Sequence, residues 1–83
     1  MKNIIITGTS RGIGYELVQQ LAAEGHNILA LSRHTATIEA LKLPNVHCIA
    51  FDITLASDRE AVGHFVKGEW EQVDILIHNA GKL

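Results

Sequence analysis

The sequence is short of several things that would decide its class at once. It holds one cysteine, Cys48, which excludes an internal disulfide and a cysteine-based zinc site. It holds one proline, and no stretch of low complexity. Seven basic against nine acidic residues give a net charge of −2, so there is no basic footprint for nucleic acid. No apolar run approaches the ~18–20 residues needed to cross a bilayer, so no membrane partner is expected. The first apolar run is ended by Gly8 and the polar residues after it, too early for a secretory signal. The five histidines, His26, His34, His47, His64 and His78, lack ligand spacing, and no metal site is expected. What remains is a globular composition, 47% hydrophobic and 19% charged, in 83 residues. A single reduced domain in the cytoplasm is the expectation.

Apolar bursts alternate with polar or glycine-bearing joints. Asn3 to Thr7, with Ile4, Ile5 and Ile6, reads as a strand buried on both faces. From Gly12 to Glu24, Ile13, Leu17, Val18, Leu21 and Ala22 make one helical stripe, and Gly25 suits the left-handed residue beyond the helix end. Asn27 to Ser32 is a second strand, and a short helix near Thr35 to Leu41 stops before Pro44. Val46 to Phe51 is a third strand, in which Cys48 is a small core residue. Ser57 and Glu60 have the spacing of a capping box for a helix whose apolar face is Val62, Phe65 and Val66, closed by Trp70. Val73 to His78 is a fourth strand. Short apolar strands alternating with helices predict a parallel α/β sheet with right-handed crossovers, four strands in the order 3-2-1-4.

The joint after the first strand, Gly8-Thr9-Ser10-Arg11-Gly12-Ile13-Gly14, has three glycines in seven residues. Glycine lets backbone turn tightly and approach a ligand closely, and the helix that follows aims free N–H groups and a positive dipole end at that spot. A pyrophosphate suits it better than a bare turn does. A nucleoside triphosphate loop would end in Gly-Lys-Ser/Thr, which this one does not. After the second strand, no acid occurs between Glu24 and Glu39 to accept from a ribose 2′-hydroxyl. Arg33 stands there instead, beside Ser32, and Arg11 is within reach of the same place. Guanidinium groups favour a 2′-phosphate, hence NADP(H) over NAD(H), against the plainer reading of Arg33 as a solvated charge.

Thr7-Gly8-Thr9-Ser10-Arg11-Gly12-Ile13-Gly14 has the form TGxxxGIG, and Ser32-Arg33, Asp52-Ile53 and Asn79-Ala80-Gly81 follow the next three strands in turn. With these four stretches in this order, the sequence resembles the short-chain dehydrogenase/reductase family, over the N-terminal, cofactor-binding half of that family's domain. The resemblance implies a Rossmann-like sheet, incomplete on its C-terminal side. It implies cofactor contacts from Gly8, Ser10, Arg11, Gly12, Ile13, Gly14, Ser32 and Arg33. It also puts Asp52 and Ile53 at the adenine, and Asn79, Ala80 and Gly81 along the adenosine ribose. His78 departs from the family's Asn-Asn-Ala-Gly pattern. The implied chemistry is hydride transfer between NADP(H) and a carbonyl or alcohol carbon.

The family's acid/base is a tyrosine with a lysine four residues later. The one tyrosine here, Tyr15, is followed at that distance by Gln19. No catalytic residue is assigned, and the 83 residues alone are expected to be inactive, with the catalytic half supplied from elsewhere. Another reading is a non-catalytic dinucleotide-sensing or partner-binding module that pairs through its exposed fourth strand, with a second copy or with a missing C-terminal half.

Overall fold

Three isoleucines in a row in extended backbone point alternately to opposite faces, so the strand that carries them needs cover on both. In the computed structural model, which describes residues 1–79, that is how the chain is arranged. Strand β1 (Asn3–Thr7) is central. Helix α1 (Gly12–Ala23) leads to β2 (Asn27–Ser32) and a short α2 (Ala36–Glu39) to β3 (Val46–Ala50). Helix α3 (Ala56–Phe65) continues into a π-helical turn, Val66–Trp70, before β4 (Ile75–His78). All pairings are parallel and the order is β3-β2-β1-β4, the predicted Rossmann-like arrangement.

Ile4 and Ile6 pack with Ile28, Ala30, Val18, Ala22 and Ile38 on the face covered by α1 and α2. Ile5 packs with Leu29 and Leu31 on the other, under Val62, Phe65, Val66 and Trp70. Phe65 and Trp70 meet edge to face, centroids 5.2 Å apart. The change of face between the second and third crossovers is what one constant handedness requires, because the chain reverses its direction across the sheet after β3. No helix among the described residues is long and apolar enough to cross a membrane.

The end of α1 follows its sequence signal. Gly25, at φ +95°, donates to the Ala22 carbonyl, and His26 N–H reaches back to Leu21. Asn45 Nδ2 adds bonds of 2.9 Å to the Ala22 carbonyl and 2.8 Å to that of His26, tying the helix end to the approach of β3.

Four local expectations change. Ile13 is not in the core stripe of α1; it is 71% exposed, and Gly14 takes the buried place at the helix start. Helix α2 is shorter than Thr35–Leu41, because beyond Ala40 the bonds tighten to three-residue steps and Lys42 turns left-handed, at φ +52°. Strand β4 begins at Ile75 rather than Val73, since Asp74 pairs with Asn3 partly through its side chain: Asn3 N–H donates to Asp74 Oδ2 at 2.8 Å. Ser57 does not cap α3. The cap position is Leu55, whose carbonyl already receives Asp58 and Arg59 N–H, which places Ser57 inside the first turn.

Candidate active site

The sheet's four strands all point their carboxyl ends the same way, and the loops that leave them enclose a crevice of about 450 Å³. Ligands of open parallel sheets sit at this edge, where the strand order reverses. Here that point lies between β1 and β4.

The loop after β1 is built by its glycines. Gly8 and Gly12 have φ of +69° and +67°, a region that side chains rarely enter. Gly14 packs directly on the Gly8 carbonyl, leaving no room for a Cβ. Asn79 Nδ2 donates to the same carbonyl at 3.2 Å. Thr7 secures the other side: its hydroxyl accepts from Asn79 N–H at 2.9 Å and lies 3.1 Å from His78 Nδ1. Arg11 holds the cap position of α1 in extended conformation, with no capping side-chain bond, and the first turn contains no acidic residue. The helix start therefore keeps its positive end for an outside anion.

The second loop is drawn into a turn by Ser32, which is buried and whose hydroxyl donates to the His34 carbonyl at 2.6 Å. Arg33 and His34, both exposed, line the crevice from this side. Thr9 is fully buried beneath, its hydroxyl 3.4 Å from the Leu31 carbonyl.

The third loop contributes Phe51, Asp52, Ile53 and Thr54. Asp52 Oδ1 accepts from the Thr54 hydroxyl at 2.7 Å and from its N–H at 2.9 Å. These bonds, the hydroxyl first, hold the Asp52 carboxyl below the usual carboxylate range; the Arg33 charge adds to the effect. Asp52 is therefore a turn-forming aspartate. A carboxylate has more acceptor positions than these two bonds use, so ligand contact remains open to it.

Gly8, Ser10, Ser32, Arg33, Asp52 and Ile53 are thus brought together around one crevice. Arg11, Gly12 and Ile13 form the exposed start of α1, and Gly14 and Asn79 shape the turn from beneath rather than lining the opening. Ala80 and Gly81 lie outside the described residues. Sequence reasoning missed His34, Thr54 and the crevice-lining position of His78. It also missed Thr37, whose hydroxyl donates to the Ser10 carbonyl at 3.0 Å. Thr54 alone had a local signal, two residues past an aspartate in a turn. A second hollow of about 300 Å³ flanks β3, beside Ile38, Lys42 and Cys48, away from the loops at the strands' carboxyl ends. Burial, and next Glu39, raise the Cys48 thiol pKa.

A family model for short chain dehydrogenase matches residues 2–83. The uncharacterized oxidoreductase DltE of Bacillus subtilis is 35% identical over 80 residues, covering 94% of this chain and 32% of that protein. A probable NADP-dependent dehydrogenase of Dichelobacter nodosus is 31% identical over 81 residues, covering 94% of this chain and 76% of that protein. Among solved structures, a short chain dehydrogenase from Bacillus anthracis superposes with a TM-score of 0.84 at 27% identity, over 95% of this chain and 34% of that one. The chain spans about a third of the length of the Bacillus proteins. With the glycine turn, the strand order and the crevice at the strand ends, this match places the chain in the short chain dehydrogenase family.

Proposed function

We propose that these 83 residues are the N-terminal, dinucleotide-binding half of an oxidoreductase domain that takes NADP(H) in preference to NAD(H). The observation that carries the reading is the crevice between the uncapped start of α1 and the Arg33 loop. Backbone N–H groups of the first turn suit a pyrophosphate. Ser10, Arg11 and Arg33 suit a phosphate on the adenosine ribose, and the acid that would repel it is missing from the second loop. Asp52 and Ile53 take the adenine end, with Asn79, Ala80 and Gly81 toward the ribose. The NADP-dependent description of the Dichelobacter relative points the same way.

Bound NADP(H) supplies or accepts a hydride at a carbonyl or alcohol carbon of the substrate. The residues of this chain bind and orient the dinucleotide. Tyr15 lies in α1, packed against the core, and Gln19 follows where the family's pairing needs a lysine. The proton donor for the reacting oxygen is therefore assigned to chain beyond these residues. The protein acts in the cytoplasm, where Cys48 stays a thiol.

A non-catalytic module that senses the dinucleotide and pairs through β4 is the second reading. It draws on Leu76 and Ile75, 63% and 38% exposed on that edge strand. Fluorescence titration of the 83-residue protein with NADPH and NADH tests the first reading. Saturable binding with NADPH the tighter supports it; NADH the tighter, or no binding of either, overturns it. A dimer in light scattering that Leu76→Lys disperses would favour the second.

A further inference from the structure

The loops that carry Arg11 and Arg33 leave the sheet from neighbouring strands and must act together if they are to hold one phosphate. At their roots they are joined through the Leu31 carbonyl, which accepts from Gly8 N–H at 2.9 Å and faces the Thr9 hydroxyl at 3.4 Å. Further out, past the end of strand pairing, Thr37 Oγ1 donates to the Ser10 carbonyl at 3.0 Å across 27 positions of sequence. Thr37 is itself exposed, but the next residue, Ile38, is 2% exposed and packs in the α1-side core. The hydroxyl therefore ties the glycine loop to an anchored post.

The bond also sets a peptide orientation. In a trans peptide the carbonyl of one residue and the N–H of the next point in opposite directions. Holding the Ser10 carbonyl toward α2 turns the Arg11 N–H away from α2 and keeps a partial negative charge occupied beside a crevice meant for an anion. Resting on the reading that this crevice takes a 2′-phosphorylated dinucleotide, we infer that Thr37 is a positioning residue for that phosphate. Its hydroxyl clasps the first loop to the second, so that Ser10 and Arg11 meet the phosphate at the distance Arg33 requires. Thr37 acts through Ser10 and makes no contact with the ligand.

Thr37→Val removes the donor at nearly constant shape, and Thr37→Ser keeps it. One hydrogen bond of this kind corresponds to about a fivefold change in an equilibrium constant. The experiment compares NADPH and NADH dissociation constants for the wild-type, Thr37→Val and Thr37→Ser proteins, with amide exchange of residues 9–12 measured in the free proteins. We expect NADPH binding to weaken about fivefold in Thr37→Val and NADH binding to change less than about twofold, with Thr37→Ser close to wild type. Equal weakening for both nucleotides, no weakening at all, or failure of Thr37→Ser to recover overturns the inference. Should the wild-type protein bind neither nucleotide, the function proposed above falls. The clasp is then decided by exchange alone: faster exchange at residues 9–12 in Thr37→Val supports it, and unchanged exchange overturns it.

Discussion

The Gly8 carbonyl oxygen occupies the space that a side chain at position 14 would need, and Asn79 Nδ2 stands 2.8 Å from the same point. A Gly14→Ala protein must move backbone rather than a flexible side-chain tip. It should lose about 1–3 kcal/mol of stability and, with the turn displaced, its dinucleotide binding. Gly12→Ala is the control. Nothing lies within 4 Å of a Cβ there, but φ is +67°, so the cost is left-handed strain alone, about 1–2 kcal/mol. Urea denaturation and nucleotide titration of both proteins check this. Preserved binding in Gly14→Ala would contradict the tight packing of the turn.

Arg33→Asp reverses the charge facing the expected 2′-phosphate and installs the acid that a free 2′-hydroxyl prefers. NADPH binding should fall at least about tenfold while NADH binding holds or improves. Paired titrations measure it. An equal loss for both nucleotides would remove Arg33 from cofactor choice.

Asp52 offers a pH test with a definite sign. Its carboxyl is held below the usual carboxylate range, chiefly by the Thr54 hydroxyl, then by the Thr54 N–H and the Arg33 charge. A depressed pKa in the folded protein means stabilisation that is present above the unfolded value and lost as pH falls through the folded one. The Asp52 turn should therefore hold at neutral pH and weaken only as the pH falls below the usual aspartate range. Thr54→Val should bring the Asp52 titration, followed by carboxyl-carbon NMR, back toward the usual range. An unchanged midpoint would rule out the hydroxyl as the main cause.

Cys48 should react slowly with a disulfide reagent at neutral pH. Burial, and behind it Glu39, push its thiol up, so the thiolate forms only in more alkaline solution. Glu39→Gln should speed the reaction modestly, and unfolding should speed it far more. Thiol-exchange absorbance gives both rates.

Ile6 and Leu76 mark the two ends of the packing. Ile6→Ala opens a cavity at a fully buried position on the sheet face covered by α1 and α2 and should cost about 2–5 kcal/mol. Leu76→Ala, at 63% exposure, should cost less than about 0.5 kcal/mol. In a domain this small the first can abolish folding, which circular dichroism melts will reveal.

The strands were legible because their residues report on both faces at once. Ile4-Ile5-Ile6 and Ile28-Leu29-Ala30-Leu31 have no polar position to offer solvent, and a parallel interior strand follows from that. Gly25 and the Gly8–Gly14 loop were legible because positive φ and close approach leave few other residues eligible. The start of α3 was not, because Ser57 fits a capping box by spacing while Leu55 supplies the first carbonyl. Ile13 misled for a related reason: it has the right period for the stripe, but the buried line of α1 runs through Gly14, Val18 and Ala22, one position round the helix. The Thr37–Ser10 bond left no trace in the sequence at all, since two common polar residues 27 positions apart carry no pattern until the loops are placed.

The pairing of β1 with β4 joins Asn3 to Asp74 and Ile4 to Ile75. Its neighbour on the other side, β2, is only some two dozen positions away. During synthesis, β1 can acquire β2 early, yet the side that meets β4 must wait while roughly seventy further residues are added. At about 5–20 residues per second, that leaves an adhesive backbone edge open for several seconds on the ribosome, a window in which a nascent chain of this architecture depends on chaperones or on dilution to avoid pairing with its neighbours.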